Sequence, residues 1–284
     1  MLVNHNDILI LGGSGLLGSN FTKGIKLSSK NVNLLNYEET KKCFKNFNPK
    51  IIIHSACKKL SSKLLYNSPA NYFNDNVTMS LNIFKAAAET KVEQLIVVSS
   101  INALLSGEGE LTADTHNHKI KQTLSKVYKQ QYNLNSKIIY LTNIYGPHSN
   151  EENGFIPFII KKCYNALISN EDIILTGDKK HKRDFMYVKD ANNLIEQFYS
   201  HNTPLLSNSF KLYTGITYTL EEIVNIVTEL IGFKGKVIWN GKYDNITNKN
   251  FIDNDKPINF KFTSLHKGIL ETIKYYKKDY EGKI

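Results

Sequence analysis

The sequence predicts an α/β protein: a doubly wound parallel sheet with a small C-terminal α/β lobe. Three observations carry that expectation. Short apolar runs alternate with amphipathic stretches, a glycine-rich turn follows the first apolar run directly, and the alternation weakens in the last third of the chain. Ile8–Leu11, Ile51–His54, Leu95–Ser99 and Lys137–Thr142 read as strands covered on both faces, because they lack polar alternation. Tyr37–Phe47, Asn76–Thr90 and Leu124–Tyr132 read as the helices between them. Asn36-Tyr-Glu-Glu places acids in a first helical turn. Thr219-Leu-Glu-Glu222 has the form of a capping box, opening a helix through Ile231 that Gly232 ends. The expected division is 1–150 with about 183–215 as the dinucleotide-binding domain, and 151–182 with 216–284 as the smaller lobe.

Composition narrows the class. A hydrophobic content of 41% in 284 residues supports a packed core. The net charge of +10 comes from lysines spread along the chain, with one arginine-centred cluster at Lys179–Arg183. A solvated lysine-rich surface is the preferred reading, so no nucleic-acid partner is expected. No apolar run reaches the roughly 18 residues of a membrane span, and no signal peptide is read at the start. Cys43, Cys57 and Cys163 are scattered and odd in number. They suit reduced thiols in the cytoplasm rather than a disulfide frame, and no metal site is expected.

Gly12-Gly-Ser-Gly-Leu-Leu-Gly18 satisfies both GxxGxxG and GxGxxG between a strand and a helix. Glycines at Gly12, Gly15 and Gly18 permit a tight turn and close approach by a pyrophosphate, which the amides around Ser14, Leu16 and Leu17 would receive. An acid about 20 residues on would bind the ribose of NAD. Here Gly24–Asn31 has none, and is so short that the first helix or second strand must be truncated. Ser28, Ser29 and Lys30, with Lys26, would suit the extra phosphate of NADP, which is favoured over NAD; the plainer reading is an ordinary loop.

Further motifs follow in order. Val32-Asn-Leu-Leu-Asn36 comes first, then Ile51-Ile-Ile-His-Ser-Ala-Cys57, Phe73–Val77 with Asn76 and Asn82, and Val97-Val-Ser-Ser100. Leu141-Thr-Asn-Ile-Tyr-Gly-Pro-His148, Gly154-Phe-Ile-Pro157 and Arg183-Asp-Phe-Met-Tyr-Val-Lys-Asp190 complete the series. By these motifs the chain resembles an extended short-chain dehydrogenase/reductase of the NAD-dependent epimerase/dehydratase family. Within it, the GDP-fucose synthases and related nucleotide-sugar reductases and epimerases are most similar. The resemblance implies a Rossmann core and a nucleotide-diphosphate sugar as substrate. It implies coenzyme contacts at Asn36, Ser55, Ala56, Cys57, Asn76 and Thr142, and substrate contacts at Asn143, Phe155, Ile156, Arg183 and Tyr187. A guanidinium fork suits paired phosphate oxygens, and this is the preferred reading of Arg183; the plainer one is a salt bridge to Asp184 or Asp190.

The resemblance also implies a serine and a Tyr-x-x-x-Lys pair, and here the chain departs. In the segment that should carry it, no tyrosine is followed by lysine at i+4. Counting back from Tyr128-Lys-Gln-Gln-Tyr132 puts the tyrosine slot near Asp114 and the lysine slot near His118, with Lys119 and Lys121 as other ribose binders. The places of the fucose-synthase cysteine and histidine hold Ile101 and Gly154, which are inert. Ser99 or Ser100 would bind the reacting sugar oxygen. Three readings stay open. His116 or His118, oriented by Asp114, replaces the tyrosine. The protein binds NAD(P) and a nucleotide sugar as a regulatory or partner subunit. Or Tyr145, His148 or another protomer supplies the proton. The expected function is keto-reduction or epimerisation of a nucleotide-linked sugar for surface polysaccharide. A homodimer through a four-helix interface of Asn76–Thr90 and Leu124–Tyr132 is expected.

Overall fold

The computed structural model describes residues 4–59, 67–104, 112–149, 154–200, 208–241 and 259–283. The glycine-rich stretch 106–110 and Leu111 lie outside them. The chain divides into two units, Met1–Leu141 with Ala191–Leu212, and Thr142–Asp190 with Tyr213–Ile284. Residues 142–149, 183–190 and 213–215, expected in the dinucleotide-binding domain, fall in the second unit by this division.

The first unit is built on one parallel sheet in the order β2-β1-β3-β4-β5-β9. Its strands are β1 (Ile8–Leu11), β2 (Ile25–Leu27), β3 (Ile51–His54), β4 (Gln94–Ser100), β5 (Ser136–Leu141) and β9 (Ser209–Leu212). Strand order reverses between β1 and β3, and in such sheets the crevice at the carboxyl ends of those strands receives the ligand. Every residue of β1 and β3 is buried, as the unbroken apolar runs require. Both of the expected truncations occur: α1 (Leu16–Asn20) has five residues and β2 has three.

Two helices of this unit are capped by the side chain that precedes them. Asn36 accepts a hydrogen bond from the Glu39 amide at the start of α2 (Tyr37–Phe47), and Asn48 ends it in the left-handed region. α3 (Pro69–Glu89) opens on proline in its first turn and starts seven residues before the expected Asn76. α4 (Ala113–Tyr132) differs more from expectation, starting eleven residues before Leu124. Its cap is Thr112, whose side chain accepts from the Thr115 amide at 3.3 Å. The buried positions of its first half are Asn117 and Lys121. A helix whose inner face is polar shows no apolar period, so the sequence pattern hid it.

The second unit carries a three-stranded sheet, β10 (Thr217–Thr219), β8 (Lys182–Tyr187) and β6 (Asn143–Tyr145), with β8 parallel to β6 and antiparallel to β10. A parallel pair joins β7 (Ile173–Leu175) and β11 (Val237–Trp239). Its helices are α5 (Phe155–Ser169), α7 (Leu220–Ile231) and α8 (Leu265–Lys277), and α6 (Val188–Ser200) runs on from β8. The Thr219–Glu222 capping box forms as expected, and Gly232 ends α7 at φ 80°.

Candidate functional site

The glycine turn holds the crevice open by steric necessity. Gly12 has φ +86°, and a Cβ there would lie 2.7 Å from the Ala56 nitrogen. A Cβ on Gly18 would lie 2.1 Å from the Gly12 carbonyl oxygen. Gly15, by contrast, faces only that oxygen at 3.3 Å. The Gly12 and Gly13 amides donate to the Leu27 carbonyl of β2 and the Gly15 amide to the Gly12 carbonyl, so the amides that can meet an anion are those of Ser14 and of the first helical turn, at Leu16 and Leu17. A pyrophosphate fits this cradle. Ser14 is exposed beside it.

The other expected coenzyme contacts divide into edges and braces. Ser55 donates to the Leu11 carbonyl at 2.8 Å, tying the end of β3 to β1. Asn76 receives the Lys58 amide on Oδ1 at 2.8 Å and donates to the Lys58 carbonyl at 3.2 Å, so it clamps the loop after Cys57. Asn36 is occupied as a helix cap. Ser28 donates to Asn31 Oδ1 and receives the Lys30 amide, which makes it part of a local turn, whereas Ser29 and Lys30 are exposed at its tip. Lys26 reaches back to the Ser19 carbonyl.

The altered proton site is a helix face rather than a loop. At 100° per residue, Asp114, Asn117, His118 and Lys121 share one side of α4. Ser99 Oγ lies 3.2 Å from His118 Nδ1, and His118 Nε2 lies 3.6 Å from Asp114 Oδ1. The same Asp114 oxygen accepts a hydrogen bond from the Tyr72 hydroxyl of α3. Lys121 is 3% exposed and donates to the Val98 carbonyl at 3.0 Å. Among the described residues no carboxylate lies within ion-pair distance of it. Asn117 is fully buried, and neither polar atom of its side chain has a hydrogen-bond partner among the described residues.

These surroundings set the protonation. Burial pushes His118 down to about 4, the Lys121 charge acts the same way, and Asp114 opposes them. Burial also lowers Lys121 and raises the Tyr72 phenol. His54, fully buried at the end of β3 with Nε2 on Ser80, is held well below the ordinary histidine value by burial and by Lys121.

Several expected residues do not join this cluster. Ser100 follows Ser99 on a strand, and successive side chains point to opposite faces, so Ser99 alone of the pair meets His118. His116 is exposed, half a turn from Asp114. Lys119 lies about 140° from Asp114 around the helix, on its flank, away from the side that meets Ser99. The spacing Tyr-x-x-x-Lys does occur at Tyr37 and Lys41 on α2, where both side chains converge on Glu89. Tyr72, Asn117 and the burial of Lys121 were missed. Only the helical register of α4 could have suggested the last two.

In the second unit Arg183 is half-buried and donates to the Lys182 carbonyl. The ion pairs considered for it are not formed among the described residues. Asp184 accepts from Thr214 and the Gly215 amide, and Asp190 from Thr263. Burial lowers the Arg183 guanidinium, as expected of a cation without a close carboxylate. Thr142 and Asn143 both donate to the Asp184 carbonyl, at 3.0 and 2.9 Å. Thr142 thus braces β8 in the second unit. Phe155 and Ile156 open α5, with Ile156 fully buried in the core. Tyr187 is buried against the Tyr145 ring. Tyr145 is buried and donates to the Leu265 carbonyl. His148 pairs with the Tyr275 hydroxyl through Nδ1.

The model of the NAD dependent epimerase/dehydratase family matches residues 8–204. GDP-L-colitose synthase of Yersinia pseudotuberculosis is 26% identical, over 95% of this chain and 97% of its own length. GDP-L-fucose synthase of Dictyostelium discoideum is 24% identical, over 98% and 97%. A GDP-L-fucose synthetase structure from Naegleria fowleri, bound to NADP, superposes with a TM-score of 0.86 at 21% identity, covering 99% of this chain and 96% of that one.

Proposed function

Because the chain belongs to the NAD dependent epimerase/dehydratase family, and so to its nicotinamide-dependent enzymes, we propose that it reduces or epimerises a keto sugar carried on a nucleoside diphosphate. GDP is the nucleotide and NADP the coenzyme in this reading. The relatives' GDP-sugar activities and the acid-free Gly24–Asn31 segment support both choices.

The observation that carries the reading is the Ser99–His118–Asp114 chain, in the unit that also holds the glycine turn. NADP, once bound, would supply the hydride. Neutral His118 has one ring nitrogen to donate and one to accept. With Nε2–H toward Asp114, Nδ1 accepts the Ser99 hydroxyl proton, and Ser99 Oγ can take a proton from a sugar hydroxyl. In the reductive direction the same path runs backwards from the imidazolium: Nδ1–H passes its proton through Ser99 to the sugar oxygen and leaves the ring neutral, with Nε2–H still toward Asp114. Lys121 keeps two N–H donors beyond its bond to Val98, enough for a ribose hydroxyl. Arg183 offers its fork to the diphosphate.

The reading extends to surface-polysaccharide synthesis in the cytoplasm and to a homodimer through α3 and α4. Exposed Leu81, Val127 and Tyr132 on those helices support the dimer, and a monomeric mass in light scattering would remove it. No helix among the described residues is long and apolar enough to cross a membrane.

Thermal shift with NADPH, NADH and GDP-, UDP-, dTDP- and CDP-sugars, followed by turnover on the hits, tests the function. NADPH should raise the melting temperature, and a GDP-linked keto sugar should be turned over by the wild type but not by His118→Ala. Unchanged turnover in His118→Ala and Asp114→Ala refutes the proton chain. Tight binding without turnover in the wild type identifies a regulatory binder instead.

A further inference from the structure

We propose that Tyr72 is a positioning residue for this proton site, acting from α3 through Asp114 on His118. The inference rests on the reading just given. α4 has no phenol where the family places one, yet a phenol arrives from the neighbouring helix. The Tyr72 hydroxyl donates to Asp114 Oδ1, the same oxygen that His118 Nε2 faces at 3.6 Å. One carboxylate oxygen therefore serves two donors. The stronger bond to Tyr72 fixes the carboxylate and draws its charge away from the imidazole. His118 stays neutral, with Nδ1 turned to Ser99.

Tyr72 is suited to this task and to little else. It is 2% exposed, so it does not reach solvent or a sugar directly. Its place is set by Pro69 at the start of α3 and by Asn76, which donates to the Tyr72 carbonyl at 2.9 Å while clamping Lys58. Its hydroxyl also lies 3.9 Å from Cys57 Sγ, which ties the network to the loop after β3. The groups facing the Asp114–His118 pair are Tyr72 from α3, Lys121 from α4, and Lys59 and Cys57 from that loop. His54 stands beyond Lys121. Lys121 and Lys59 both disfavour an imidazolium, Asp114 favours it, and the bond from Tyr72 weakens that counterweight.

The test is Tyr72→Phe, read two ways. In the coenzyme-free protein, the His118 ring is titrated by NMR. Loss of the phenol should raise its midpoint by at least about half a unit, since the Asp114 charge then falls wholly on the imidazole. In turnover, kcat should fall roughly tenfold with KM within about twofold, the size of one hydrogen bond to a charged group. In an Asp114→Asn background the same substitution should add nothing, because its effect passes through that carboxylate. An unshifted titration, or an equal loss in both backgrounds, overturns the proposal. The titration needs no sugar, so it decides the role of Tyr72 even if the substrate assignment fails. Should Tyr72→Phe not fold, Tyr72→Met is titrated in its place, and an unshifted His118 midpoint there also overturns the proposal.

Discussion

The glycine turn follows β1 and the proton site lies at the end of β4, two strands of one sheet with β3 between them, and they are specified in opposite ways. At the turn, backbone meets backbone: Gly18 lies against the Gly12 carbonyl and Gly12 against the Ala56 nitrogen. Any side chain there collides with main chain, so a short local motif announces the function. The proton site is assembled from side chains on three elements, Ser99 on β4, Asp114 and His118 on α4, and Tyr72 on α3. Its chemistry can be exchanged residue by residue without disturbing the backbone. Coenzyme binding is therefore hard to change in this scaffold, and acid–base groups are easy to change.

The largest effect that would break this contrast comes from the turn. Gly18→Ala should abolish NADPH binding, with an affinity loss of at least about 100-fold, since overpacking of this kind costs a few kcal/mol. Calorimetry showing near-normal affinity would mean the turn is less constrained than its contacts indicate. Next comes the proton site. His118→Ala should lower kcat by about 100- to 10,000-fold, the usual range for a general acid or base, with NADPH affinity unchanged in the same titration. Arg183→Lys sharpens the comparison from the second unit. It keeps the charge but loses the fork, so KM for the nucleotide sugar should rise roughly tenfold while kcat holds.

A smaller effect follows from pH. The folded-state value of His118 is depressed from 6.5 to about 4, so between those values the unfolded chain binds more protons than the folded one. Stability should then be full above pH 6.5 and fall as pH drops toward 4. Scanning calorimetry should show a shallower slope for His118→Asn, and an identical slope would contradict the burial argument. The smallest effect belongs to the outer side of α4. His116→Ala and Lys119→Ala should leave kcat within about twofold, because neither faces Ser99. A large loss in either would mean the helix register at the site is wrong.

The same contrast explains what the sequence made legible. The apolar runs at β1 and β3, the capping box at Thr219 and the glycine turn are local patterns with local causes, and each was read to within a residue or so. The first turns of α3 and α4 were not, because Tyr72, Asn76, Asn117 and Lys121 are buried polar side chains that break the apolar period. Asp114 and His118 could be placed by counting from Tyr128. Tyr72 could not, since its bond to Asp114 spans 42 residues and two helices. Lys119 was drawn in by proximity in sequence, where angle around the helix is what decides.

The most direct test is a single-turnover experiment. NADPH-loaded protein is mixed with a GDP-linked keto sugar while the nicotinamide absorbance is followed, for the wild type and for His118→Ala. The account predicts rapid loss of the reduced coenzyme in the wild type, and a rate at least about 100-fold slower in a variant that still binds NADPH. Equal rates in the two proteins would contradict it.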